Sequence, residues 1–228
     1  MSATPPQAVL FDFDGTLIDS APGILASFEA ALRATGRAPA VPLSPAIIGP
    51  PLAKTVATLI GRDDPAAVQP VVDAFRADYD TAGYRATMVY DGVVAMLDGL
   101  AEAGIALHIV TNKRIAPTRR ILEHLGWTAR FTGIYALDAL EPAAPHKPAL
   151  VAEVLRRERL AAARCWMVGD SAEDRRSAET NGLRFFAAAW GYGAAIAGDA
   201  ASGAPAGLRS PADLLGALPG AAQGAPPC

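Results

Sequence analysis

Short apolar runs at Ala8 to Phe11, Ile105 to Val110, Gly133 to Leu137, Cys165 to Val168 and Leu183 to Ala189 alternate along this chain with stretches of helical periodicity. That alternation constrains the fold more than any other feature. Most of the runs are continuously apolar, as suits strands covered on both faces of a parallel sheet. Between them, Val93, Met96, Leu97 and Leu100 share one helical face, and Thr118, Ile121, Leu122 and Leu125 share another. Gly104 and Gly126 follow where a helix C-terminus favours glycine. Strand–helix–strand alternation implies right-handed crossovers, and so predicts an α/β fold with a doubly wound, Rossmann-like parallel sheet.

The alternation is broken once. Residues 20–88 carry three amphipathic patterns with no convincing strand between them: Leu25, Phe28 and Leu32; Leu52, Val56, Leu59 and Ile60; and Val68, Val71, Val72, Phe75 and Tyr79. This predicts an all-helical insertion directly after the first strand, with 1–19 and 89–228 forming the α/β core. Inside it, Ile47-Ile48-Gly49-Pro50-Pro51-Leu52 is either a stiff, pre-shaped edge or a turn that starts the next helix. At the C-terminal end, Leu214, Leu215 and Leu218 can form one docking helix, and the last residues of the Ala-, Gly- and Pro-rich tail are expected to be disordered.

The first strand ends unusually. Val9-Leu10-Phe11-Asp12-Phe13-Asp14-Gly15-Thr16-Leu17 places two carboxylates, spaced by two, at the carboxyl end of a buried strand, where open α/β sheets keep their ligands. A plain turn after the strand would explain Asp14-Gly15, but two acids closing an apolar strand are costly unless compensated. The net charge of −3 and pI near 5.6, with Lys and Arg scattered, exclude a nucleic-acid-binding patch and favour a small-molecule partner. Only Cys165 and Cys228 occur, which argues against a disulfide framework and for a reducing, cytoplasmic compartment. There is no P-loop, Gly191-Tyr192-Gly193 lacks the third glycine of a dinucleotide fingerprint, and His108, His124 and His146 are too dispersed to suggest zinc.

The Asp12-Phe13-Asp14-Gly15-Thr16 segment resembles the first motif of the haloacid dehalogenase superfamily, most of whose members are magnesium-dependent phosphatases. Three further segments resemble its other motifs in order: Thr111-Asn112-Lys113 after a strand, Lys147 ahead of a helix, and Gly169-Asp170-Ser171-Ala172-Glu173-Asp174. The resemblance spans about Ala8 to Gly193 and makes the helical insertion a cap over the active site. It implies Asp12 as nucleophile, Asp14 as general acid and base, Thr111 and the backbone or amide of Asn112 as phosphate-binding groups, and Lys147 pairing with the nucleophile and the phosphoryl oxygens. It also implies metal ligands from Asp12, Asp170 and the Asp14 backbone carbonyl, with Asp174 orienting the lysine or a metal-bound water.

Simpler roles stand beside these. Thr111 can cap the following helix, Lys147 can be a solvated loop residue, and Ser171-x-x-Asp174 reads as a capping box. Dehalogenases and phosphonate hydrolases of the superfamily lack the second acid, so Asp14 points to phosphate esters. Four carboxylates against Lys147 call for a hard divalent cation such as Mg2+. The expected activity is phosphoglycolate phosphatase-like hydrolysis of a small phosphorylated metabolite, by a monomer or homodimer away from membranes and nucleic acid. The alternatives are a 5′-nucleotidase, suggested with a pyrophosphatase by the Ile-Gly-Pro-Pro-Leu loop, or a β-phosphoglucomutase-like phosphomutase. A binding protein would need neither Asp12 nor Asp14. Lys54, Tyr84 and Arg85 are cap candidates for substrate contact.

Overall fold

The computed structural model describes residues 4–193 and 207–219; Cys228 and the tail expected to be disordered lie outside them. Its centre is a five-stranded sheet in which every neighbouring pair is parallel. The strands are β1 (Ala8–Phe11), β4 (Ala106–Thr111), β5 (Gly133–Ala136), β6 (Cys165–Gly169) and β7 (Arg184–Ala187), in the order β5-β4-β1-β6-β7. All five expected strands form, with ends shifted by a few residues. β1 shows why its sequence is continuously apolar: Val9 and Phe11 enter one apolar cluster, whereas Ala8 and Leu10 enter another on the opposite face.

Helices α4 (Val93–Glu102), α5 (Ile115–His124), α6 (Lys147–Arg157) and α7 (Ala172–Asn181) make the crossovers. The predicted faces of α4 and α5 are buried at Val93, Met96, Leu97 and Leu100, and at Thr118, Ile121 and Leu122. Gly104 and Gly126 follow them in the left-handed region. Near the C-terminus, α8 (Ala212–Gly216) buries Leu214 in the same cluster as α4, with Leu215 and Leu218 packed against it.

Before α1 (Ala21–Ala34) and after the insertion, the chain forms a small antiparallel pair, β2 (Ile18–Asp19) with β3 (Met88–Val89). Strands of two residues are too short to show alternation, so the sequence pattern missed them. Helix α1, α2 (Leu52–Ile60) and α3 (Pro65–Tyr79) share a separate apolar cluster. Phe28, Phe75 and Tyr79 form its aromatic spine, with ring centroids 4.4 and 5.2 Å apart along the series. The buried face of α1 is Ile24, Phe28, Ala31 and Leu32. Leu25, read as part of that face, is only half-buried. No helix among the described residues is long and apolar enough to cross a membrane.

Candidate active site

Parallel strands bring their carboxyl ends to one edge of the sheet, and β4, β1 and β6 are neighbours there. Asp12 leaves β1 with its N–H donating to Val168 O at 2.9 Å, and Asp170 follows β6 directly. Lys147 arrives from the opposite direction as the first residue of α6, whose N-cap is His146; the imidazole Nδ1 accepts from Ala149 N–H at 3.2 Å. His146 therefore helps start this helix.

Lys147 is only 1% exposed, so it is no solvated loop residue. Its Nζ pairs with Asp12 Oδ1 and, at 2.5 Å, with Asp174 Oδ1. Asp174 Oδ2 accepts from the backbone N–H of Ser171 at 3.0 Å, and the Ser171 hydroxyl accepts from Asp174 N–H at 3.2 Å. The capping box and the orienting role thus coexist in one side chain: one oxygen starts α7, and the other fixes the lysine.

Asp12, Asp170 and Asp174 are all buried, with carboxylate oxygens within 4.8 Å of one another. Burial, opposed by Lys147 and reinforced by Asp174 and Asp170, pushes the Asp12 carboxyl well above its usual range. Burial and the neighbouring Asp174 push Asp170 up to about 6, although the N–H groups of Tyr192 and Gly193 donate to its Oδ2 at 2.8 and 3.1 Å. Burial also works against the charge on Lys147, but Asp12 and Asp174 outweigh it and keep the ammonium protonated. Three carboxylates around one ammonium remain short of positive charge.

Asp14 points elsewhere. Its carboxylate accepts from the Ser20 hydroxyl and from Lys113 Nζ at 2.9 and 3.2 Å. The Lys113 ammonium also sits 4.8 Å from the centroid of the Tyr79 ring. Lys113 stands beside Thr111 and Asn112 in the sequence, but its pairing with Asp14 was not foreseen. Nothing local announces a contact between residues 99 positions apart.

Thr111 is buried at the end of β4, and its Oγ accepts from Lys113 N–H at 3.0 Å, leaving the hydroxyl proton to donate. Asn112 offers phosphate either its backbone or its amide, and the amide is already engaged. Both N–H groups of its amide are committed, to Gly49 O at 3.0 Å and Glu173 Oε2 at 2.7 Å. The side-chain amide therefore has no donor left for phosphate, and only its backbone N–H remains. Lys54, Tyr84 and Arg85 line neither of the two cavities at this edge; the Arg85 guanidinium lies 5.3 Å from the Tyr84 ring centroid.

Two glycines make room for this packing. Gly15 has φ +81°, and a Cβ there would stand 2.2 Å from Asp170 Oδ2; at Gly191 it would stand 1.9 Å from Gly15 O. Between them the Tyr192 hydroxyl donates to Asp19 Oδ1 at 2.8 Å and accepts from Ser20 N–H at 2.8 Å, tying the Asp170 segment to the start of α1. We predict that Gly15→Ala destabilises by about 2 kcal/mol or more, combining left-handed strain with displacement of Asp170. Gly104→Ala, also left-handed but with nothing within 4 Å, should cost only about 1 kcal/mol. Thermal melts of the pair check this; equal losses would contradict it.

The model of the haloacid dehalogenase-like hydrolase family matches residues 9–188. The chain belongs to that family. A phosphoglycolate phosphatase from Xylella fastidiosa is 38% identical over 190 residues, covering 82% of each protein. The tyrosine-protein kinase PtkA of Mycobacterium tuberculosis is 36% identical over 192 residues, which is 83% of this chain but only 64% of the kinase. This chain thus spans less than two thirds of the mycobacterial relative's length. A haloacid dehalogenase-like hydrolase from Streptococcus pneumoniae superposes with a TM-score of 0.79 at 26% identity, covering 92% of this chain and 97% of that one. Relatives of this chain at similar identity therefore carry different activity names, and the chemistry of this chain has to be argued from its own side chains.

Proposed function

We propose that this chain hydrolyses a small phosphate monoester through an aspartyl-phosphate intermediate, as its relatives' phosphatase names suggest. The observation that carries the reading is Lys147 held between Asp12 and Asp174, with Asp14 standing separately across the same cavity. Asp12 attacks phosphorus in line; the ester P–O bond breaks, and the leaving oxygen takes a proton from Asp14. Asp14, now a carboxylate, takes a proton from water as that water attacks the phosphoryl group. The Asp12–phosphorus bond breaks, releasing phosphate and restoring the Asp12 carboxylate and the protonated Asp14. Lys147 orients Asp12 and offsets charge on the phosphoryl oxygens, and Thr111 donates its hydroxyl to them.

The donor set fits a hard divalent cation. Both oxygens of Asp174 are engaged by Lys147 and Ser171, whereas Asp12 Oδ2 and Asp170 Oδ1 accept no hydrogen bond among the described residues. Asp12 and Asp170, with the Asp14 backbone carbonyl, would therefore hold Mg2+, which supplies charge neutralisation at the phosphoryl oxygens. Residues 20–88 act as a cap. Their contacts with the core include the Asn112–Gly49 hydrogen bond and the Arg114–Asp80 ion pair, with nitrogen–oxygen distances of 2.9 and 2.5 Å.

A phosphate-release screen over phosphoglycolate, nucleoside monophosphates, pyrophosphate, sugar phosphates and simple alkyl phosphates tests the reaction class. EDTA should abolish release and Mg2+ restore it; release indifferent to chelation would contradict the reading. A second consequence concerns pH. The Asp170 pKa is raised in the folded state, so without metal its contribution to stability is full below about pH 4 and is lost as pH rises through about 6. Added Mg2+ should therefore raise the melting temperature more at pH 7.5 than at pH 5. A shift that is equal at both pH values would count against Asp170 as a ligand.

A further inference from the structure

Two cavities meet at Asp14. One, of about 200 Å³, contains Asp12, Lys147 and Asp170 and is the phosphoryl side of the proposed site. The other, of about 70 Å³, lies between the helical insertion and the start of α5. Asp14, Ile48, Gly49 and Asn112 border both. A group that protonates the leaving oxygen must stand where the phosphoryl group ends and the leaving group begins, and the Asp14 carboxylate stands at that junction.

The second cavity is walled mainly by apolar and aromatic side chains, among them Ile24, Phe28, Leu52, Phe75 and Pro117. Its only cations among the described lining residues are Lys113 and Arg114, and both are already paired. Lys113 binds Asp14, and Arg114 binds both carboxylate oxygens of Asp80. The Thr55 hydroxyl is spent on Pro50 O at 3.2 Å. Among the described lining residues two buried polar atoms lack a hydrogen-bond partner: the Tyr79 hydroxyl, and at the junction itself Asn112 Oδ1. Its identity as oxygen is fixed because the other amide position faces the two acceptors Gly49 O and Glu173 Oε2. The junction thus presents an unpaired acceptor and no spare cation. A carboxylate-bearing leaving group would face that acceptor, could take at most a neutral hydroxyl donor from Tyr79, and would have to break an ion pair to gain a cation.

Resting on the phosphatase reading, we infer that this cavity is the leaving-group subsite and that it takes an uncharged, apolar group of a few carbons. Carboxylate-bearing groups such as glycolate are disfavoured. The apolar walls reward each buried methylene, and the paired cations leave a carboxylate uncompensated.

Titration calorimetry on the full chain with excess Mg2+ decides this without turnover. Propylphosphonate and phosphonoacetate are close in size and share the phosphonate, differing in whether the tail ends in methyl or carboxylate. Propylphosphonate should bind at least about tenfold more tightly, from roughly two buried carbons and the undisturbed ion pairs. Leu52→Lys, at a half-buried position in the first turn of α2, supplies the missing cation and should reverse the order. Equal or tighter binding of phosphonoacetate to the unsubstituted protein overturns the inference, and so does absence of propylphosphonate binding at millimolar concentration. If propylphosphonate binds preferentially but no ester in the screen releases phosphate, the reaction class fails while the subsite stands.

Discussion

Asp12→Asn should reduce phosphate release from p-nitrophenyl phosphate by about 10⁴-fold or more while leaving the melting temperature unchanged or raised. The amide keeps the shape of the carboxylate but is a poor nucleophile, and losses of this size accompany removal of a group that forms the covalent intermediate. The stability half of the result follows from the electrostatics. Burial and the acids Asp174 and Asp170 already push Asp12 toward its neutral form. A neutral side chain relieves that penalty, and Lys147 stays paired through Asp174. Release retained within tenfold would remove Asp12 as nucleophile. A large fall in melting temperature would mean that the lysine depends on Asp12 more than its two-partner geometry indicates.

The architecture was legible because its signals are local. Continuous apolar runs mark strands covered on both faces, and the third insertion helix buries all five residues expected of it: Val68, Val71, Val72, Phe75 and Tyr79. Asp12, Asp170, Asp174 and Lys147 were each flagged because their neighbours in sequence carry motif patterns, and the fold then brings them together. What could not be read depends on distant packing. Lys113 gains its meaning only when β4 lies beside β1, and Tyr192 only when its turn reaches the start of α1. Asn112 was assigned to phosphate through its backbone or its amide, and only the packing shows that the amide donors go to a loop carbonyl and a glutamate, which leaves the backbone N–H for that role. Reading Leu25 in place of Ile24 on α1 was an error of one position, about 100° of helix, which periodicity over three residues cannot resolve.

Lys147→Ala separates charge balance from packing. Removal of one partner from a buried ion pair costs about 3–5 kcal/mol, and here the loss leaves Asp12, Asp170 and Asp174 with no cation among them. Turnover should vanish as it does for Asp12→Asn, but the melting temperature should fall steeply, which Asp12→Asn does not predict. The destabilisation should also depend on pH. With the ammonium gone, the Asp12 and Asp170 carboxyls, already held above their usual range despite the lowering effect of Lys147, rise further in the folded state, so stability is lost as pH rises and regained as pH falls and they protonate. A melting-temperature deficit that is large at pH 7.5 and much smaller at pH 5 is therefore expected. Mg2+ should narrow the deficit at pH 7.5 by replacing the missing positive charge, without restoring turnover, because a cation held by Asp12 and Asp170 cannot reproduce a lysine fixed by Asp174. A deficit independent of both pH and Mg2+ would mean that the Lys147 side chain matters here as buried volume, and that the carboxylates are balanced by something other than its charge.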